Sequence, residues 1–326
     1  MTHKDTDDFL YLSDSTLDAL SIPPSEIADA IEAALIAKAD GRLFVAPKSA
    51  LMPGGGRYMM STLAVGDAGL TVLKTVTVSP ENPGRGLPAI NGAILALDAQ
   101  TGLLKAVLGA NWITAHRTAA LSAVASRRLA DPGSSTIGFI GCGVQARSHL
   151  SAFRTLFPLS RVLAHGRSEK NRDAFCESAR ELGMEASAAQ PQDVLRQSDI
   201  VVTSVTLDYT IDPFLDARLM KPGAFAAITD LCIPWLPEGL AAFKTLVVDD
   251  MEQETSAEKP MLDPKAISGD LTDLVEGKVP DIARPAAFAF RGIALGDYAA
   301  TELVLRHAKT KAIGQRIAAQ AMDSPA

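Results

Sequence analysis

The run Ile137-Gly138-Phe139-Ile140-Gly141-Cys142-Gly143-Val144-Gln145-Ala146 decides how the rest of the chain is read. Ile137 to Ile140 is a short apolar strand, Gly141 to Ala146 spells G-x-G-x-x-A, and the residues beyond have the composition of a helix. Each small residue has a physical task. Gly141 permits a tight turn, Gly143 lets the backbone approach a pyrophosphate, and Ala146 lets the helix lie close on the strand. The helix then presents unpaired N–H groups and a positive dipole end to an anion. Val144 and Gln145 open that helix and join the three small residues as candidate dinucleotide contacts. A bare G-x-G-x-x-A is a weak signal, and the strand before it and the helix after it give it weight.

Working outward toward the C-terminus, the rhythm is strand, helix, strand over 136–140, 144–156, 161–164, 169–182, 199–203, 224–228 and 245–248. This alternation predicts an α/β fold with a Rossmann doubly wound parallel sheet, assigned to residues 121–292. The end of the second strand chooses between cofactors. An acidic residue there would hold the ribose hydroxyls of NADH, but the chain reads His165-Gly166-Arg167-Ser168, and Arg167 suits a 2′-phosphate. NADPH is therefore favoured over NADH, the alternative being that Arg167 merely stacks on an adenine. Ser168, with Thr203 and Val205 at the exit of the strand 199–203, completes the candidate cofactor contacts.

Working outward toward the N-terminus, apolar residues recur at helical spacing over 24–41, and 43–107 turns to short β-rich runs, clearest at 71–78 and 93–97, with a loop at 80–88. That stretch predicts an antiparallel sheet, with Gly54-Gly55-Gly56 as a flexible loop. A helix is expected from an N-cap at Thr114 to about Ala130, where Asp131-Pro132-Gly133 ends it. Residues 292–319 read as helical and are expected to pack back on the first lobe. Residues 1–120, completed by 293–326, are thus expected to form a smaller α+β lobe.

Two cations in that lobe stand out. Lys74 lies inside a half-apolar strand, where a charge must face either solvent or a site. Arg117 falls in the first turn of a helix that starts at Thr114, where the dipole disfavours a cation unless it shares an anion with the helix end. His116 beside it is read mainly as a packing residue.

Composition bounds the functions. Among 326 residues, 31 basic against 38 acidic ones give a net charge of −7, and the cations form no stripe, which argues against nucleic acid as the partner. Cys142, Cys176 and Cys232 are too far apart for a disulfide framework or a metal-binding pair, so no metal is expected and a reducing cytoplasm fits. No apolar run approaches a membrane span, and the acid-rich stretch Met1 to Phe9 does not resemble a signal peptide. H-E-x-x-H, Walker and G-x-S-x-G motifs are absent.

Lys74-Thr75-Val76, Asn82-Pro83, Gly86-Leu87-Pro88, Thr101-Gly102, Ile113-Thr114-Ala115-His116-Arg117-Thr118-Ala119-Ala120 and the glycine turn with Gln145 resemble the ornithine cyclodeaminase and μ-crystallin family over nearly the whole chain. The resemblance implies a homodimer whose first lobe is a substrate and dimerisation lobe, with Lys74 and Arg117 holding a substrate carboxylate. Two departures accompany it. Lys48, after Pro47, stands where many members have an arginine, which removes a bidentate grip. Asp230 lies near the place of the cyclodeaminases' catalytic aspartate but out of register, with Leu231 at the matching position. The expected reaction is NAD(P)H-dependent reduction of a small 2-imino acid, cyclic such as pyrroline-2-carboxylate or linear such as iminosuccinate. Lys48, Lys74 and Arg117 would orient it, and Lys74, Arg117 and Asp230 are the candidate catalytic residues. The alternatives are a cyclodeaminase-like lyase served by Asp230, an amino acid (alanine-type) dehydrogenase, or a binding protein without turnover.

Overall fold

The computed structural model describes residues 8–206 and 210–318. Most of the stretch Met1 to Phe9, and the end of the segment 292–319, lie outside the described residues. The chain divides into two compact units, one of Met1–Pro23, Ala37–Thr114 and Ile293–Ala326, the other of Pro24–Ile36 and Ala115–Gly292.

The first unit opens with β1 (Asp8–Leu12) and α1 (Asp14–Ala19), neither of which the sequence patterns pick out, and α2 (Pro24–Ala39) follows. Then come β2 (Leu43–Val45), β3 (Ser49–Gly54), β4 (Arg57–Gly66), β5 (Leu70–Val78), β6 (Ile90–Asp98) and β7 (Leu104–Gly109). From β2 to β7 every pairing is antiparallel, as the short β-rich runs predict. The three glycines at 54–56 form the turn that joins β3 to β4. On β5 the residues Leu70, Val72, Lys74 and Val76 alternate onto the buried face, so Lys74 turns inward among apolar neighbours.

The helix α3 runs Ala110–Leu129, so it starts four residues before Thr114 and corrects the expected N-cap. Its cap comes from far away in sequence: Asp14 Oδ1 accepts the N–H of Trp112 at 2.8 Å. A cap delivered by a remote side chain leaves no local signature, whereas Thr114 has the right residue type in the wrong place. Arg117 consequently sits about two turns into the helix. The argument that helix end and guanidinium share an anion lapses with it, because that field fades beyond the first turn.

The second unit is a parallel sheet of β8 (Thr136–Ile140), β9 (Arg161–His165), β10 (Glu185–Ala188), β11 (Ile200–Thr203), β12 (Phe225–Ile228), β13 (Thr245–Val248), β14 (Gly269–Asp270) and β15 (Ala286–Ala289). The intervening helices are α4 (Val144–Phe153), α5 (Glu169–Glu181), α6 (Pro191–Gln197), α7 (Met251–Thr255) and α8 (Leu271–Val275). The strand order is β10-β9-β8-β11-β12-β15-β13-β14. β11, β12, β13 and β15 are buried at every position, as strands covered on both faces must be. The direction of winding reverses between β8 and β11, which opens a crevice at their carboxyl ends, where doubly wound sheets bind ligands.

The chain then returns to the first unit. Residues 292–319 are not helical throughout: α9 (Ala294–Lys311) ends at Ala312, in the left-handed conformation, and β16 (Gln315–Ala318) follows. As expected, α9 packs on β4 and β5 of the first unit. β16 pairs with β1, and the first sheet has the order β16-β1-β7-β6-β5-β4-β2, with β3 on β4.

Candidate active site in the dinucleotide cleft

A cleft of about 500 Å³ opens at the carboxyl ends of β8, β9 and β11, a volume within the range of small-molecule and cofactor sites. Gly141 has φ +97°, and a Cβ there would stand 2.5 Å from the carbonyl oxygen of Ser204. Only glycine gives both the left-handed turn and the close approach. Gly143 is different: nothing lies within 4 Å of where its Cβ would point, and it occupies the N-cap of α4 without a side chain to cap it. The helix start therefore faces an open cradle, which fits a pyrophosphate. Val144 is 66% exposed at the first helical position, whereas Ala146 is fully buried where α4 meets the sheet.

Gln145 contributes a carbonyl that accepts from His149 Nδ1 at 2.8 Å, so the other ring nitrogen, Nε2, accepts from Ser122 Oγ at 3.0 Å. Burial pushes His149 down to about 4, and the neutral ring pins α4 to α3.

At the exit of β9 the cleft is lined by His165, Gly166, Arg167, Ser168 and Asn171. Ser168 is the N-cap of α5, its Oγ accepting from Asn171 N–H at 3.3 Å. Arg167 is exposed and meets no acidic partner among the described residues, which leaves its guanidinium available to an anion. Cys142 lines the cleft too, its thiol donating to the His165 carbonyl at 3.3 Å and pushed up to about 12 by burial. It is thus no nucleophile at neutral pH.

Across the switch point, Ser204, Val205 and Thr206 form another wall, with Ile211 and Phe214 beyond. Thr203 is fully buried beneath it. Asp230, just past β12, is also fully buried and does not line the cleft. Its Oδ1 accepts from Thr203 Oγ1 at 3.0 Å and its Oδ2 from Val205 N–H at 3.1 Å. Of the residues expected around a dinucleotide, Gly141, Gly143, Arg167, Ser168 and Val205 line one cavity, while Ala146 and Thr203 lie under its walls.

In the first unit Lys74 is 1% exposed. Its Nζ donates to Asp297 Oδ1 at 2.6 Å, and Asp297 Oδ2 accepts from Thr62 Oγ1 at 2.9 Å. Thr62 stands directly opposite Lys74 in the β4–β5 pairing, so the first turn of α9 is keyed to the sheet by one carboxylate. Lys48 is half-buried, its ammonium 5.9 Å from the centre of the Tyr58 ring. In the second unit Arg117 is buried, with its guanidinium 5.0 Å from the centre of the Phe290 ring, within the range of a cation–π contact.

The model of the ornithine cyclodeaminase/mu-crystallin family matches residues 16–312. The chain belongs to that family. Within it, the chain is 29% identical over 323 residues to an alanine dehydrogenase of Archaeoglobus fulgidus, covering 94% of this chain and 98% of that protein. It is 31% identical over 236 residues to the ketimine reductase mu-crystallin of Rattus norvegicus, covering 71% and 74% of the two chains. Among solved structures it is similar to an archaeal alanine dehydrogenase dimer with bound NAD, with a TM-score of 0.84, 26% identity, and coverage of 95% and 99%.

Sequence reasoning missed Cys142, His165, Asn171, Ser204, Thr206, Ile211 and Phe214 as lining residues. The signals for His165 and Asn171 were at hand, since both flank the exit of β9. Ile211 and Phe214 come from a loop whose return to the cleft has no local pattern. Asp297 was missed because its partner Lys74 is 223 positions away.

Proposed function

We propose that this chain is a nicotinamide-dependent oxidoreductase that reduces a small 2-imino acid to the amino acid. The observation that carries the reading is the open glycine cradle at the switch point of a parallel sheet, in a chain 31% identical to a ketimine reductase. The backbone of Gly141 to Gly143 and the start of α4 hold the pyrophosphate, and Arg167 meets a 2′-phosphate, which favours NADPH over NADH. The reduced nicotinamide supplies hydride to the imine carbon when bound. The chain's own task is to place that carbon and to bring a proton to its nitrogen.

Lys74, Arg117 and Lys48 are assigned to the substrate carboxylate. The buried ion pair with Asp297 supports this for Lys74, because it fixes the ammonium in one position before any substrate arrives. The likeness to an alanine dehydrogenase over 94% of the chain favours a second reading on the same groups, in which the amino acid is oxidised and the imine hydrolysed. A lyase reading asks for a carboxylate facing the cleft, and the burial of Asp230 speaks against it. A homodimer is part of the proposal: Phe44, Leu51 and Met52 on β2 and β3 are about two-thirds exposed or more, apolar surface of the kind that a second copy covers. No described helix is long and apolar enough to cross a membrane. The three buried free cysteines suit a reducing compartment such as the cytoplasm.

The test is loss of reduced nicotinamide with pyrroline-2-carboxylate, iminosuccinate and pyruvate plus ammonia in turn, with amino acid formed in equal amount. Tight cofactor binding without oxidation across the panel refutes the reductase. Ammonia released from a diamino acid with no net change in NAD(H) points to the lyase instead.

A further inference from the structure

Asp230 combines three departures from ordinary packing. It is a fully buried carboxyl that no cation reaches among the described residues, and burial pushes it from 3.8 up to about 7. The backbone directly after it is strained: Leu231 and Cys232 are consecutive non-glycine residues with φ +56° and +58°, a conformation that β-substituted residues adopt at a penalty. Both of its oxygens are committed to a single target, the chain leaving β11, through Thr203 Oγ1 and Val205 N–H. A strand exit needs none of these. Strain and unfavourable burial concentrated on one residue point to a function for it.

The target identifies that function. Ser204 N–H bonds to the Ile140 carbonyl at 2.8 Å, the last link between β11 and β8, and Thr229 N–H and Oγ1 both bond to the Thr203 carbonyl. Val205 N–H is the next amide out, beyond the end of the sheet, and among the described residues Asp230 is the group that holds it. Thr203 Oγ1 is in turn fixed by Trp235 Nε1 at 3.3 Å. The segment so braced carries Ser204, Val205 and Thr206, which line the cleft, and its Ser204 carbonyl packs on Gly141.

We propose that Asp230 is a positioning residue for the dinucleotide: by holding Val205 N–H and the Thr203 hydroxyl it fixes the cleft wall that faces the glycine turn. This rests on the nicotinamide reading of the cleft. Asp230 acts through the backbone and touches neither substrate nor reacting atoms. Asparagine preserves the device, its carbonyl accepting from Val205 N–H and its amide donating to Thr203 Oγ1. Alanine leaves an amide without its acceptor.

The experiment measures NADH and NADPH affinity by fluorescence titration, and hydrogen exchange of the Val205 amide in the free protein, for Asp230→Asn, Asp230→Ala and Thr203→Val. Asp230→Ala should lose Val205 protection and bind cofactor about tenfold more weakly or worse, Asp230→Asn should stay within about threefold, and Thr203→Val should fall between. Rescue by asparagine is the readout that a merely space-filling role would not give. Parent-like protection and affinity in Asp230→Ala overturn the inference, and Thr203→Val carries the test if that variant does not fold. Normal affinity with turnover lost about a thousandfold in both Asp230 variants also overturns it, because the carboxyl then belongs to the chemistry. If the parent binds neither cofactor, the reading of the cleft fails and the inference with it. That outcome is told apart by the failure of the unmutated protein.

Discussion

Replacing Asp230 with asparagine should make the second unit more stable, by an amount that depends on pH. In the folded chain this carboxyl is pushed from 3.8 up to about 7 by burial. The sign follows from which state holds the proton. Below pH 4 both folded and unfolded chains are protonated, and the residue costs nothing through ionisation. Between pH 4 and 7 the unfolded chain releases its proton while the folded chain keeps it, so stability falls as pH rises. At roughly 1.4 kcal/mol per pH unit the full penalty is about 4 kcal/mol above pH 7, and somewhat under half of it is already present at pH 5. Asparagine does not ionise, so its advantage over the parent should widen by roughly 3 kcal/mol between pH 5 and 8. Urea unfolding of the cofactor-free protein would show it, followed by Trp235 fluorescence in a Trp112→Phe background so that only the second unit reports. Stability curves that run parallel across that range would refute the reasoning, since they would mean the carboxyl is not held neutral by its surroundings.

Three further outcomes are expected. Gly143→Val should fold like the parent, because its Cβ meets nothing within 4 Å, yet bind NAD(P)H about a hundredfold more weakly or worse, by filling the pyrophosphate's place; thermal unfolding and fluorescence titration together separate this from a folding defect. Arg167→Asp should move the ratio of catalytic efficiencies from NADPH toward NADH by about tenfold or more, since it turns an attraction for a 2′-phosphate into a repulsion; an unmoved ratio removes Arg167 from cofactor choice. Lys74→Met leaves Asp297 buried without its ammonium and should lower stability by about 3 to 5 kcal/mol, most of which a second change, Asp297→Asn, should restore; a double variant as unstable as the single one would show that the buried pair is not the cause.

The sheet of the second unit was legible because each of its long segments carries its own period, and the glycine turn announces itself by residue type. The boundaries of 136–140 and 245–248 agree with β8 and β13 to the residue. What stayed hidden depends on distant partners. β10 and β15 are short runs whose composition, Glu185-Ala186-Ser187-Ala188 and Ala286-Ala287-Phe288-Ala289, has little β character, and neighbouring strands alone make them strands. The start of α3 is set by Asp14, and the inward turn of Lys74 is matched by Asp297; neither partner lies within a window that periodicity can search. Asp230 was noticed for its place near a resemblance, while its work on Thr203 and Val205 follows only from three dimensions.

The pairing of β1 with β16 sets an order of events during synthesis. β1 and β7 lie side by side, but the sheet that holds them is finished only when Gln315–Ala318 reaches Asp8–Tyr11, and α9, which covers that sheet, is made almost as late. Apart from the helix at Pro24–Ile36, the second unit is continuous from Ala115 to Gly292, so it can close while the first still waits for its last strand and covering helix. On the ribosome the second unit is therefore free to fold first, and the nascent first unit meanwhile exposes an open sheet edge and the apolar face meant for α9, the kind of surface on which chaperones act.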